Sequence, residues 1–286
     1  MGIVALAALA ACVGEDPPFV SPTTPAGDAA PAPGPVDSEV DDDAGSTLPV
    51  DSGADADAQD QDASDGPTRF CGTQTAGAGV KDFFCADFDG TDPAEGFTSA
   101  NVPDGGALVR FTDVAYSAPA SLVTQGNATV LWEKVDAANF SELDVAVRLN
   151  VATLGAVPPP RDGSMTIIEL SAALTNIGLA YSRGATVDGQ TNYTGYFLFG
   201  RACPSSCVSS MKRVSGVPVN TWTSIRLRWT SAGTVGLSID GTSAFDGTLY
   251  GATASKVTVR TGHRAVGNAP VTARHAFDNL MISVKR

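Results

Sequence analysis

No lysine or arginine occurs in the first 66 residues, a stretch that holds fourteen of the chain's acidic residues between Glu15 and Asp65. Long apolar runs are also missing. The longest candidate, Gly2 to Val13, is far shorter than the roughly 20 residues that a membrane-spanning helix needs. Histidine is scarce, with only His263, expected in a loop, and His275, expected to enter the last strand, and a His-Glu-x-x-His metal pair is absent. A Gly-x-Ser-x-Gly nucleophile elbow is absent, which excludes that route to serine hydrolysis. A sustained helical stripe with caps is absent too, and this argues against an α-rich domain. The chain has 31 acidic and 18 basic residues, so removing the fourteen acidic residues of 13–66 leaves 17 acidic against 18 basic in 67–286. The net charge of −13 is therefore the tail's. A near-neutral remainder lacks the basic surface that nucleic-acid binding requires, and no nucleic-acid partner is expected.

What is present begins with Leu9-Ala10-Ala11-Cys12, which resembles the lipobox of bacterial lipoproteins. The resemblance implies a signal segment over 1–12 and a diacylglyceryl thioether on Cys12 that anchors the chain in a lipid bilayer. Two or more acyl chains suffice for stable anchoring. The missing basic residue ahead of the apolar run departs from the usual signal peptide, so an ordinary secretory signal or a buried helix stays open. Val13 after the cysteine, in place of Asp, favours outer-membrane sorting, with a periplasmic or surface-exposed domain. Residues 13–67 are mostly Pro, Ala, Asp, Gly, Ser and Thr, which cannot bury enough surface to offset ordering entropy, and read as a disordered acidic linker. Asp55, Asp57, Asp60, Asp62 and Asp65 alternate loosely like a calcium loop, but the EF-hand order and its closing Glu are missing.

Four further cysteines form two close pairs, Cys71 with Cys85 and Cys203 with Cys207. Two disulfides in an oxidising compartment suit this spacing. Free thiols or a metal site are the alternatives, the latter opposed by the distance between the pairs and the lack of a nearby His.

From about residue 68 to 286 the apolar period is two. Leu143, Val145, Val147, Leu149 and Val151 alternate with Glu142, Asp144, Arg148 and Asn150 on the opposite face. Ile225, Leu227 and Trp229 alternate with Arg226 and Arg228. Further strands are expected at 107–113, 128–134, 165–171, 178–183, 193–200, 234–240, 256–261 and 276–284, separated by turns such as Asp162-Gly163, Asp188-Gly189 and Asp240-Gly241. The fold class expected is all-β: a two-sheet antiparallel sandwich or jelly roll.

The run Trp222 to Trp229, followed by Gly233 to Ile239-Asp240-Gly241, resembles the concanavalin A-like lectin/glucanase and laminin G-like sandwiches. Phe84 to Gly90 and Ala276 to Val284 resemble their first and last strands, which pair. The resemblance implies that the tryptophan and the aliphatic residues pack between sheets. It also implies a structural calcium ion held by Asp89, the carbonyl of Gly90 and Asp278, against the alternative that these residues cap turns. The glucanases of this group carry Glu-x-Asp-x-x-Glu; here Glu142-Leu143-Asp144 begins the motif but Val147 stands where the acid belongs, so no catalytic residues are expected. A lyase-like set of Tyr181, Arg148 and His263 reads as a chance grouping. The ligand-binding candidates are Asp144, Arg148 and Asn150 with the aromatics Trp132, Tyr193 and Tyr196, although a strand aromatic more often belongs to the core. The function expected is a non-catalytic lectin-like domain binding a glycan or an envelope or extracellular polymer. A glycosidase or lyase with an unfamiliar site, and a structural or adhesion module, remain open.

Overall fold

The chain's computed structural model describes residues 70–113, 115–135, 139–153, 164–265 and 273–286. Cys12, the acidic linker of 13–67 and the Asp162-Gly163 turn lie outside the described residues. Among the described residues, a 3-10 turn at Phe70–Thr73 precedes fifteen strands. The first seven are β1 Val80–Ala86, β2 Ser99–Asn101, β3 Ala107–Phe111, β4 Ser121–Gln125, β5 Thr129–Val135, β6 Glu142–Thr153 and β7 Ser164–Ala172. The rest are β8 Thr175–Val187, β9 Gln190–Ala202, β10 Val208–Val214, β11 Trp222–Thr230, β12 Thr234–Ile239, β13 Thr242–Thr248, β14 Lys256–Ala265 and β15 Arg274–Lys285.

They form two antiparallel sheets in a jelly-roll sandwich. The first runs β13-β12-β11-β6-β15-β4-β3, and the second runs β10-β9-β8-β7-β14-β5-β2. Along one side of β15, residues 274–277 pair with β4 and residues 280–285 with β1, so the expected pairing of the first and last strands is present.

Alternation makes the core. Leu143, Val145, Val147, Leu149 and Val151 on β6, and Ile225, Leu227 and Trp229 on β11, are at most 2% exposed. Facing them from the second sheet are Ile168, Leu170, Ile177, Leu179 and Leu198. Each such aliphatic, once buried, contributes about 1.5–3 kcal/mol of transfer free energy. The hairpins β8–β9 and β12–β13 close on two-residue turns in which both residues are left-handed: Asp188 and Gly189 at φ 51° and 77°, Asp240 and Gly241 at 49° and 79°. That geometry matches the strand twist and explains the Asp-Gly choice. Disulfides join Cys71 to Cys85 and Cys203 to Cys207.

The two tryptophans of β11 part company. Trp229 lies in the core with its indole N–H donating to the Tyr250 carbonyl at 2.9 Å. Trp222 does not pack between the sheets as the resemblance implied. It sits an odd number of residues from the inward set, so it points outward and meets Tyr116 edge-on at 6.0 Å.

His263 belongs to β14 rather than to a loop, and it points inward from the second sheet. There it meets His275 of β15, from the first sheet, with ring centroids 4.2 Å apart and both residues fully buried. The His263 Nδ1 lies 3.1 Å from the Gly126 carbonyl, so that nitrogen carries the proton, and Nε2 accepts from His275 Nδ1. His275 Nε2 is then an acceptor without a hydrogen-bond partner among the described residues. The arrangement works with both rings neutral. Burial pushes the His263 pKa down to about 3, against the hydrogen bond to Gly126, and holds His275 well below the usual imidazole range, helped by its histidine neighbour.

Candidate binding groove on the second sheet

The outward faces of the two sheets differ, and the expected ligand residues are divided among places that do not form one site. On the first sheet, Asp144 receives a two-pronged hydrogen bond from Arg226, with Arg226 Nη2 at 2.5 Å from Oδ2. Glu142 pairs with Lys285 at 2.7 Å. Val147, where a glucanase acid would stand, is core. Arg148 lies over the Tyr116 ring at 4.3 Å, and Asn150 is buried beside Trp222. Trp132 is a core residue, its ring 6.1 Å from Phe84. Tyr196 also points inward, against Tyr181 at 5.3 Å. Tyr193 is half-buried and donates its hydroxyl to the Tyr196 carbonyl at 2.7 Å. Tyr181, Arg148 and His263 occupy, respectively, the second sheet's inner side, the first sheet's outer side and the inter-sheet seam, so they form no catalytic set.

The residues of the expected calcium site are otherwise engaged. Asp278 Oδ2 accepts from the backbone N–H groups of Tyr116 and Ser117 at 2.9 Å each, and Oδ1 accepts from the Asn279 N–H at 2.8 Å and the Ser117 hydroxyl at 3.2 Å. This carboxylate fixes the 116–117 loop. Burial nonetheless outweighs these hydrogen bonds and pushes its pKa up to about 6. Asp89 Oδ1 accepts from the Ala120 N–H at 3.2 Å. Among the described residues no three His, Cys, Asp or Glu side chains group as a metal site. A cation cage of the kind Ca²⁺ needs, with six to eight oxygens, does not fit this donor set.

The second sheet's outward face carries a groove of about 320 Å³. Its apolar side is Ala180, Phe197, Phe199 and Met211, part of a small cluster separate from the main core that also holds Ala185, Val187 and Tyr193. On β9, Tyr196 and Leu198 point in while Phe197 and Phe199 point out. Phe199 lies flat on the sheet because its cross-strand partner is Gly178. A Cβ there would stand 2.6 Å from the ring and 2.4 Å from the Ile168 carbonyl.

The polar side is Ser164, Thr166, Glu169, Asn176, Arg201 and Arg264. Glu169 is 6% exposed at its side chain, and its Oε1 takes Arg260 Nη1 at 2.7 Å, Ser171 Oγ at 3.3 Å and Arg264 Nη1 at 3.6 Å. Register shifts in β14 between Thr261 and Arg264, and in β7 between Thr166 and Ile168, fall beside this cluster. Bulges of this kind re-aim side chains. Cys207 closes one end of the groove, where its sulfur meets Arg201 Nη2 at 3.3 Å.

Sequence reasoning missed Phe197, Phe199, Glu169, Arg260 and Arg264. One signal was present: Glu169 is a lone carboxylate inside Ile167-Ile168-Glu169-Leu170, and a charge in such a run is retained when it is paired.

No protein-family model matches the chain, and no curated protein matches it. Among solved structures, an endo-beta-1,4-glucuronan lyase from the fungus Trichoderma reesei is similar with a TM-score of 0.46 and 11% identity, covering 70% of this chain and 94% of that one. A cellulose-induced protein is similar at 0.48 and 14%, covering 70% and 96%. Domain 4 of an extracellular arabinanase from Geobacillus stearothermophilus, solved with arabinotriose, is similar at 0.45 and 16%, covering 70% and 91%.

Proposed function

We propose that the domain is a carbohydrate-binding module that holds an extended glycan in the groove of the second sheet without cleaving it. The observation that carries this reading is the pairing of an outward aromatic floor, a half-buried Phe199 beside a buried Phe197, with a rim of hydrogen-bonding side chains in one groove. An apolar ring face sits on aromatics while its hydroxyls meet Ser164, Thr166 and Asn176. The volume falls in the range of about 300–1,000 Å³ that small-ligand sites occupy.

Catalysis finds little support in the same groove. Glycoside hydrolysis uses two carboxyl groups about 5–9.5 Å apart. Among the described residues, Glu169 is the one carboxylate lining the groove, and it is engaged with two arginines. Both histidines, the commonest general bases, are sealed between the sheets. In this proposal the lipobox-like Leu9-Ala10-Ala11-Cys12 and the acidic linker display the module from a bacterial outer membrane, a part of the reading that rests on sequence alone.

The test is binding of the full chain to a glycan array, paired with an assay for reducing ends and unsaturated products. Retention without product supports the proposal, and product release overturns it in favour of an enzyme. Phe199→Ala is expected to weaken binding about tenfold, corresponding to roughly 1.4 kcal/mol of lost aromatic contact.

A further inference from the structure

Resting on that reading of the groove, we propose that its ligand is a polyanionic glycan, one that carries carboxylate or sulfate groups along its chain. The argument is local charge. Among the described residues, Arg201 and Arg264 line the groove and Arg260 joins them at Glu169, against the single carboxylate of that residue. One carboxylate neutralises one of them, so two positive charges remain.

The domain as a whole carries no such surplus. Residues 67–286 as a whole balance at 17 acidic and 18 basic residues. Elsewhere among the described residues, Arg226 meets Asp144, Lys285 meets Glu142 and Lys256 meets Glu133, while Lys134 and Arg286 share Asp82, and Lys212 and Arg213 share Asp188.

The arginines are also held in place. The Glu169 side chain is 94% buried and lies behind Arg260, so that guanidinium is fixed at 2.7 Å with 27% of its side chain exposed. Arg264 approaches the same oxygen only to 3.6 Å and keeps 54% of its side chain exposed, leaving its donors free to face a ligand. The register shift ahead of Arg264 sets it beside Thr166, on the groove side of β7. A guanidinium backed by a buried carboxylate presents a planar fork of N–H donors without the cost of ordering a loose side chain, and that fork matches carboxylate and sulfate oxygens. Glu169 acts here as a positioning residue. An anionic substituent on a sugar ring would meet Arg264 and Arg201 while the ring face rests on Phe199.

The experiment measures binding of the full chain to polygalacturonate, alginate and dextran sulfate alongside neutral arabinan, galactan and dextran, at two salt concentrations. The expected result is retention on acidic polymers alone, weakened by salt, with Arg264→Gln lowering that affinity about tenfold and Arg201→Gln lowering it less. Glu169→Gln is expected to weaken acidic-polymer binding by loosening Arg260 and Arg264, although it removes a negative charge. A general electrostatic effect would strengthen it instead.

Binding to neutral polymers with no preference for acidic ones, sensitive to Phe199→Ala, would overturn the charge inference and leave the groove reading standing. Binding of acidic polymers unaffected by the arginine substitutions would also overturn it. Binding unaffected by Phe199→Ala, or no binding to either class, would remove the groove reading and the inference together.

Discussion

The two outward faces of the sandwich share a construction rule but differ in what they leave unmet. On the first sheet, alternate residues of β6, β11 and β15 bring Asp144 to Arg226 and Glu142 to Lys285, while Arg148 caps Tyr116. Each of these side chains has its partner within the protein. On the second sheet, the Phe199 ring lies flat on the strands, Arg260 and Arg264 share one carboxylate, and Arg201 stands at the same groove. A face whose polar groups satisfy one another gains little from a ligand; one that holds donors fixed and unmet gains a good deal. The difference separates a solvated surface from a binding surface although both read alike as polar positions between core residues.

The comparison is meaningful only while the sheets stay together, and acid is the strongest lever on that seam. His263 and His275 are neutral in the folded protein, with pKa values below the unfolded value of about 6.5. As the pH falls below about 6.5 the unfolded chain takes up protons that the folded chain refuses, so each imidazole removes up to about 1.4 kcal/mol of stability per pH unit. Asp278 acts with the opposite sign. Its folded pKa of about 6 lies above the ordinary carboxylate value of 3.8, so between those values the folded protein takes the proton first and offsets about one imidazole. Denaturant titrations at pH 7.5 and pH 5 are expected to show a loss of about 2–3 kcal/mol at the lower pH. Asp278→Asn removes the offset and is expected to steepen the loss. Equal stability at both pH values would mean that the two rings are not sealed as a neutral pair.

The second lever breaks one face alone. Gly178→Ala places a Cβ 2.6 Å from the Phe199 ring and 2.4 Å from the Ile168 carbonyl, and only the ring can yield. Overpacking of this kind costs about 1–3 kcal/mol. The variant is expected to melt a few degrees lower and to lose glycan binding together with the platform. Retained binding in a destabilised protein would show that Phe199 is not the ring's support.

These contrasts also mark where the sequence was readable. β6 and β11 announce themselves because polar residues separate their core positions, and Asp188-Gly189 and Asp240-Gly241 name their turns because few other pairs accept two left-handed residues. The groove was not readable in this way. Tyr196-Phe197-Leu198-Phe199 is apolar at every position, so period two cannot say which rings leave the core, and the choice of Tyr196 and Tyr193 as ligand aromatics passed over Phe197 and Phe199. The register that sets Phe199 over Gly178 joins residues far apart along the strands of a hairpin. Bulges complete the difficulty: the register shifts in β7 and β14 alter the alternation just where Glu169 and Arg264 meet. His263 was assigned to a loop because Gly262 and the residues around it break the apolar pattern, although the strand continues through them with Gly262 at φ 124°.

The smallest expected effect is on the first sheet, and it discriminates most sharply between the faces. Arg226 is 56% exposed, and its pairing with Asp144 is a surface ion pair of good geometry. Such pairs contribute less than about 1 kcal/mol once solvent screening and side-chain ordering are counted. Arg226→Ala is therefore expected to shift the denaturation midpoint slightly and to leave glycan affinity unchanged, because the groove lies on the other sheet and no ligand contact is removed. The measurement is the same binding titration used for Phe199→Ala, run side by side. Should Arg226→Ala abolish binding while Phe199→Ala spares it, the ligand sits on the outward side of β6, where alternation first placed Asp144, Arg148 and Asn150, and the unmet donors of the second sheet serve some other end.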